Sequence, residues 1–278
     1  MKKFSILIPT RKRTTLLKET LLTIENQTKN KNLFEIIIGI DTDDQETKKF
    51  IEDYKKNYQI DTIITVMERG KGYQDHALRL KKMVLSSNGE YLIQYSDDIK
   101  LLTPSWDSVL EQKIDSLPPD KVFLLFPAHN QKNTNWPLVP IISKKWFNLT
   151  GKFTNCIEVD TELLIISTLL KRKYKINNIN IHHSVIIDQT FSEGRKIMLS
   201  GKNKTNSIFS IKNFFLILMD FQILKENLNN KNISTNNNFK KLKFYFINFC
   251  CFFYYLNIIK KELKIYRIQD FFKIRKKN

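Results

Sequence analysis

The stretch Ser87-Asn-Gly-Glu-Tyr-Leu-Ile-Gln-Tyr-Ser-Asp-Asp-Ile-Lys100 decides how the rest of this chain is read. Asn88-Gly89 is a turn signal, and residues 92–95 form a short apolar run. The spacing predicts a buried strand that ends in two adjacent carboxylates, Asp97 and Asp98. A carboxylate in such a place is costly to bury unless something cationic meets it. A hard divalent ion, Mg²⁺ or Mn²⁺, carrying the phosphates of a substrate has the required preference for oxygen. The plainer alternative is a solvated Asp-Asp turn, because Asp is common in turns.

Toward the N-terminus the chain alternates strand and helix. Residues 4–8 read as a strand that ends at Pro9-Thr10-Arg11, and residues 14–27 as an amphipathic helix with Leu16, Leu17, Thr20, Leu21 and Ile24 on one face. Residues 34–40 form a second, nearly all-apolar strand ending at Asp41, followed by a polar helix over 45–57. A third strand over 63–67 leads through Gly70 and Gly72 into a helix carrying Ala77, Leu80, Met83 and Val84. Continuous apolar strands alternating with helices belong to parallel sheets covered on both faces. The expected class is α/β, a doubly wound and mostly parallel sheet. Ligands in such sheets bind beyond the carboxyl ends of the strands. The clusters Pro9-Thr10-Arg11, Asp41 and Asp97-Asp98 should therefore converge on one edge, which favours a site over a solvated turn.

Beyond Asp98, a helix is expected after Pro104-Ser105, a strand over 122–126, a polar loop over 131–136 and an extended stretch over 138–142. A short helix over 144–149 ends at Gly151, and a longer one follows Cys156-Ile-Glu-Val-Asp160. Residues 179–183 read as a strand ending in His182-His183. His129 is expected at the surface; Arg11 and Arg13 could approach phosphates, and Arg13 is expected in a solvated basic loop. Trp106, Trp136 and Trp146 could stack on a sugar but read as core or rim residues.

The net charge of +18, from 46 Lys and Arg against 28 Asp and Glu, suggests anionic partners. The excess is concentrated late in the chain and need not describe the site. Three cysteines without metal spacing fit a reducing, cytoplasmic compartment. The first apolar run stops at Pro9, too soon for a signal-peptide core. We expect a catalytic domain over residues 1–200 and a helical, basic and aromatic appendage over 201–278. Within the appendage, residues 208–228 read as a helix and residues 229–238 as an Asn-rich connector. Residues 244–259 are strongly aromatic and apolar, interrupted by Asn248 and Asn257 and flanked by Lys240, Lys241, Lys243, Lys260, Lys261 and Lys264. The run is shorter than the roughly 20 apolar residues of a spanning helix. It reads as a device for docking on an anionic membrane, at the inner face of the cell membrane, or as a helix pair packed on protein.

Three pieces together resemble the family-2 glycosyltransferases, which have the GT-A fold. They are Phe4-Ser-Ile-Leu-Ile-Pro-Thr-Arg-Lys-Arg13, Glu35-Ile-Ile-Ile-Gly-Ile-Asp41 and Gly89-Glu-Tyr-Leu-Ile-Gln-Tyr-Ser-Asp-Asp98. The last is similar to the family's metal-binding DxD region, with Ser96 where the first Asp would stand. The resemblance implies transfer of a sugar from a nucleotide-diphosphate donor to a hydroxyl of a glycan or lipid-linked acceptor, usually with inversion and with Mn²⁺ or Mg²⁺. It implies that Asp41 contacts the nucleobase and that Pro9, Thr10 and Arg11 line the nucleotide pocket. Asp98 would be the principal metal ligand and Asp97 would contact ribose or the groups around the metal. A late histidine ligand is common in the fold. Alternation along the strand lets only one of His182 and His183 face the site, and we expect His183. By the same resemblance Asp160 is the general base, with Glu158 as its rival; an Asp there could instead cap the helix.

Two other classes compete. A nucleotidyltransferase would want a Gly-rich loop after the first strand to cradle triphosphate, and that loop has no glycine. A non-enzymatic basic module binding membrane or nucleic acid accounts for the charge but not for carboxylates at strand ends. No nucleic-acid partner is expected.

Overall fold

The computed structural model describes residues 2–70, 72–131, 134–184, 208 and 210–229. In chain order the elements are β1 (Phe4–Pro9), α1 (Thr14–Gln27), β2 (Phe34–Asp41), α2 (Gln45–Asn57), β3 (Asp61–Met67), α3 (His76–Leu85), β4 (Tyr91–Gln94), β5 (Ile99–Leu101) and α4 (Trp106–Asp115). They continue with β6 (Leu124–His129), β7 (Ile141–Ser143), α5 (Lys144–Thr150), α6 (Val159–Leu170), β8 (Lys173–His183) and α7 (Ile211–Leu228).

One eight-stranded sheet runs in the order β3-β2-β1-β4-β7-β6-β8-β5. The first four of these positions are parallel to one another, and β7 and β5 run against their neighbours. The chain winds outward from β1 through β2 to β3, then returns to lay β4 on the other side of β1. The ends of β1 and β4 thus flank a switch point, where doubly wound sheets bind ligands.

The two-residue period of the strands sorts the core into two layers. Ile6, Ile8, Ile36 and Ile38 face α1, α2 and α4 through Leu17, Leu21, Ile51 and Leu110. Leu7, Ile37 and Leu92 face the opposite way, onto Leu80 and Met83 of α3, Trp146 of α5, Leu163 of α6 and Ile217 of α7. Every residue of β2 and β4 is buried, as expected of central parallel strands. The third strand differs: β3 lies at the sheet edge, and of its residues only Thr62 and Thr65 are buried. Gly89 is required by a close approach, because a Cβ there would stand 2.6 Å from the Ser5 backbone nitrogen.

Strand β5 was not expected. It begins one residue after Asp98 and pairs antiparallel with β8, setting Ile99 opposite His183 and Lys100 opposite His182. The eighth strand also starts earlier than its apolar part suggests, at Lys173. Helix α7 is the described part of the expected 201–278 appendage. It packs on α5 and α6, and Phe214, Ile217, Leu218 and Leu224 are buried in the second layer. Most of the connector over 229–238 and the aromatic run over 244–259 lie outside the described residues. Among the described residues no helix is long and apolar enough to cross a membrane.

Candidate active site

The polar clusters at the ends of β1, β2 and β4 meet. Thr10 Oγ1 donates to Asp97 Oδ2 at 2.6 Å, and Arg11 Nη1 donates to Asp41 Oδ2 at 2.7 Å. Pro9 closes β1, and the Thr10 backbone nitrogen donates to the Gly39 carbonyl at 3.0 Å, which carries the turn out over β2. Asp41 is buried and held from both sides, by Arg11 and by Arg79 of α3. Arg11 also grips Asp43 with two hydrogen bonds, 2.5 and 2.8 Å. That fork raises the Arg11 pKa and holds Asp43 down to about 2.

Asp97 is buried as well. Besides Thr10 it accepts a hydrogen bond from Arg13 Nη1 at 2.6 Å, and its carbonyl accepts one from Thr20 Oγ1 at 2.9 Å. Arg13 Nη2 stands 3.4 Å from Asp98 Oδ2. Arg13 is therefore not in a solvated loop: it is folded over both carboxylates, with 11% of its side chain exposed. Two carboxylates at a strand end need a cation, and this arginine supplies one charge.

The pairing of β5 with β8 brings His183 to Asp98. His183 Nε2 lies 3.3 Å from Asp98 Oδ1, and the Ser184 backbone nitrogen donates to the Asp98 carbonyl at 3.0 Å. His182 points the other way; it is exposed and 3.4 Å from the Ser184 hydroxyl. Asp98 Oδ1 and His183 Nδ1 are both buried without a hydrogen bond. Orphaned polar atoms of this kind are rare in folded proteins. Ligands at neighbouring corners of an octahedral Mg²⁺, each about 2.1 Å from the ion, are about 3 Å apart. The spacing of Asp98 Oδ1 and His183 Nε2 fits that requirement. Among the described residues no group of three or more His, Cys, Asp and Glu side chains is arranged to hold a metal ion by itself. A cation here would take two protein ligands and complete its shell with water and substrate phosphates, the usual manner of Mg²⁺.

A polar loop joins this pair to Asp160. His183 donates its backbone N–H to Asn130 Oδ1 at 2.9 Å, and its carbonyl accepts from Asn130 and Gln131. His129, at the end of β6, is buried rather than at the surface; its Nε2 lies 2.7 Å from the Trp136 carbonyl. That acceptor fixes the proton on Nε2, while the Gln131 N–H points at Nδ1 and burial holds the ring's pKa below its ordinary value. Trp136 then donates its indole N–H to Asp160 Oδ2 at 2.5 Å. Asp160 Oδ1 accepts the Thr161 backbone N–H at 2.7 Å. Glu158, not Asp160, is the cap residue of α6, which leaves Asp160 in the first turn. Burial raises the Asp160 pKa, against the smaller opposing pull of the Trp136 and Thr161 donors. The rival, Glu158, accepts the Ile208 backbone N–H through Oε2 at 3.0 Å.

Three participants are not marked as site residues by the sequence, in which Arg13 reads as part of a solvated basic loop and Trp136 as a core or rim residue. Arg79 had a signal, a charge within the apolar stripe of Leu80, Met83 and Val84. Trp136 had none beyond its residue type. Arg13 had its position next to a strand end, which its basic neighbours masked.

The profile of Glycosyl transferase family 2 matches residues 5–196, about two thirds of the chain and every residue of this cluster. No curated protein matches the chain. Among solved structures, S. aureus TarS superposes with TM-score 0.54 at 12% identity over 81% of this chain. This chain spans 43% of TarS, so the likeness concerns part of that protein. The mannosyltransferase PcManGT from Pyrobaculum calidifontis, solved with GDP-Man and Mn²⁺, superposes with TM-score 0.54 at 11% identity, covering 95% of this chain and 84% of that one. Residues 1–349 of TarS with UDP-GlcNAc give 0.53 at 13% identity, covering 80% and 72%. At these identities the neighbours establish the GT-A fold. The profile match, which contains the convergent strand ends and the carboxylate pair, establishes the rest: the chain is a glycosyltransferase and belongs to glycosyl transferase family 2.

Proposed function

We propose that this protein is a metal-dependent, inverting glycosyltransferase that moves a sugar from a nucleotide-diphosphate donor to a hydroxyl of a glycan or lipid-linked acceptor, in the synthesis of surface glycans or polysaccharide. The observation that carries the reading is Asp98 Oδ1, buried without a hydrogen bond and 3.3 Å from His183 Nε2. Asp98 and His183 would hold Mn²⁺ or Mg²⁺. Bound there, the ion supplies Lewis-acid stabilisation of the negative charge that develops on the departing diphosphate.

The remaining work belongs to the chain's own residues. Pro9, Thr10 and Arg11 line the nucleotide pocket, and Asp41, held by Arg11 and Arg79, presents its carboxylate to the base. Asp97 is fixed by Thr10 for the ribose. Asp160 takes the proton of the acceptor hydroxyl on the face opposite the leaving group, as an inverting displacement requires. Its elevated pKa suits a base, because a carboxylate made more basic by burial accepts a proton more readily. Residues 1–200 form the catalytic unit. The basic and aromatic segment over 239–278 docks it peripherally on the anionic inner face of the membrane, where a lipid-linked acceptor would be confined.

The test is nucleoside-diphosphate release over a panel of sugar nucleotides including UDP-GlcNAc and GDP-mannose, with Mn²⁺, Mg²⁺ or chelator. Release from at least one donor that chelator abolishes supports the reading. Release indifferent to chelator refutes metal dependence, and no release from any donor refutes the donor class.

A further inference from the structure

We infer that Asp220, on helix α7, is a positioning residue for the loop that leads into the first turn of α6, where the Asp160 base stands. This rests on Asp160 being the base.

Asp220 lies outside the span matched by the family profile. It sits on the buried stripe of α7, among Phe214, Ile217, Leu218 and Leu224. An isolated carboxylate in such a stripe is costly, so its partners indicate what it is for. Asp220 Oδ2 accepts a hydrogen bond from Asn155 Nδ2 at 2.7 Å, and Oδ1 lies 3.3 Å from Lys152 Nζ. Both partners belong to the loop between α5 and α6, which ends just before Asp160.

The same loop is clamped from its other side. Glu162, fully buried in the first turn of α6, accepts the backbone N–H groups of Asn155 and Cys156 at 2.7 and 3.1 Å. It also accepts Asn155 Nδ2 at 2.5 Å and Thr154 Oγ1 at 2.7 Å. The Asn155 amide thus spans two buried carboxylates, Glu162 on the helix that bears the base and Asp220 on α7. Ile208 closes the arrangement by donating its N–H to Glu158, two residues before Asp160. A loop with this many buried polar groups has one low-energy arrangement when every group is paired. Removing Asp220 leaves Asn155 and Lys152 without their α7 partner and frees the loop relative to the helix behind it. A displacement of about 1 Å at a catalytic group can cost a hundredfold in rate.

The experiment compares the full-length wild type with Asp220→Ala, Asp220→Asn and Asp160→Asn. Asparagine keeps an oxygen for Asn155, and alanine does not. Amide exchange is followed in peptides covering 152–162 and in peptides from β1, β2 and β4. Nucleoside-diphosphate release from UDP-GlcNAc and from GDP-mannose is measured with Mn²⁺. In Asp220→Ala, exchange over 152–162 should accelerate at least tenfold with the strand peptides unchanged, and kcat should fall 10- to 100-fold with donor KM within twofold. Asp220→Asn should restore both. Unchanged exchange over 152–162, or acceleration equally across the strands, overturns the inference. So does a freed loop with undiminished kcat. If Asp160→Asn retains full kcat, the assignment of the base fails, whereas the exchange result reports on the clamp alone.

Discussion

Replacing Trp136 with phenylalanine isolates the electrostatics of the proposed base. The indole N–H is one of two strong donors to the Asp160 carboxylate, at 2.5 Å on Oδ2, and the Thr161 N–H on Oδ1 remains in the variant. A hydrogen bond to an ionised group contributes about 1.5–3 kcal/mol. The Trp136 donor favours the charged form, so its loss raises a pKa that burial already holds high. At about 1.4 kcal/mol per tenfold change, the acid limb of the pH–rate profile should move up by about one to two pH units. The sign is fixed: the base acts only when deprotonated, so turnover is lost as pH falls through its pKa, and a higher pKa brings that loss at higher pH. Turnover at alkaline pH should recover toward the wild-type plateau. The assay is kcat against pH at saturating donor and Mn²⁺, with donor KM and melting temperature as controls. An unmoved acid limb would show that ionisation of Asp160 does not govern the rate. A uniform loss at every pH would point instead to a misplaced loop.

The metal site, the arginine over it, the β1–β4 contact and the C-terminal segment each give a further expected outcome. Asp98→Ala should abolish metal-dependent turnover while leaving the melting temperature within a few degrees of wild type, and His183→Ala, but not His182→Ala, should raise the Mn²⁺ concentration needed for half-maximal activity; two silent histidine substitutions would remove His183 from the metal site. Arg13→Ala strips the buried Asp97 of its ion-pair partner and should lower stability by on the order of 3 kcal/mol in chelator, measured by denaturant titration, with part of the loss recovered on adding Mn²⁺; equal losses with and without Mn²⁺ would separate the arginine from the metal. Gly89→Ala forces a Cβ to within 2.6 Å of the β1 backbone and should destabilise by about 1–3 kcal/mol, with little effect on donor KM in the variant that still folds. In liposome flotation, full-length protein should float with vesicles containing anionic lipid, and a chain ended at Asn238 should not; equal partitioning of both would leave the aromatic segment as a packing element.

The half of the sheet that builds the nucleotide pocket was legible because its signals are local. β1, β2 and β4 announce themselves as apolar runs closed by polar residues, and α1 and α2 fall on the residues their periodicity and flanking turns mark. The other half is assembled by distant pairings. β5 is three residues long and exists because β8, some eighty positions later, supplies its hydrogen bonds. The β8 residues between Lys173 and Asn178 carry too few apolar side chains to read as strand, since much of this region is only half-buried.

The site divides along the same line, and the reason is a matter of contrast. An acidic residue that ends an apolar strand stands out, because burying it demands a partner, and Asp41, Asp97 and Asp98 could be singled out on that ground alone. Two of their partners, Arg13 and Arg79, could not. In a chain with 46 lysines and arginines, one more basic side chain carries almost no information in the sequence. Arg13 looked like its neighbours Lys12 and Arg11, and only the fold separates them: Arg13 lies over Asp97 and Asp98, Arg11 over Asp41 and Asp43, and Lys12 turns through a left-handed backbone at φ 51°. The acids and Arg11 mark where the site is, and the tertiary structure adds Arg13 and Arg79 to the cations that serve it.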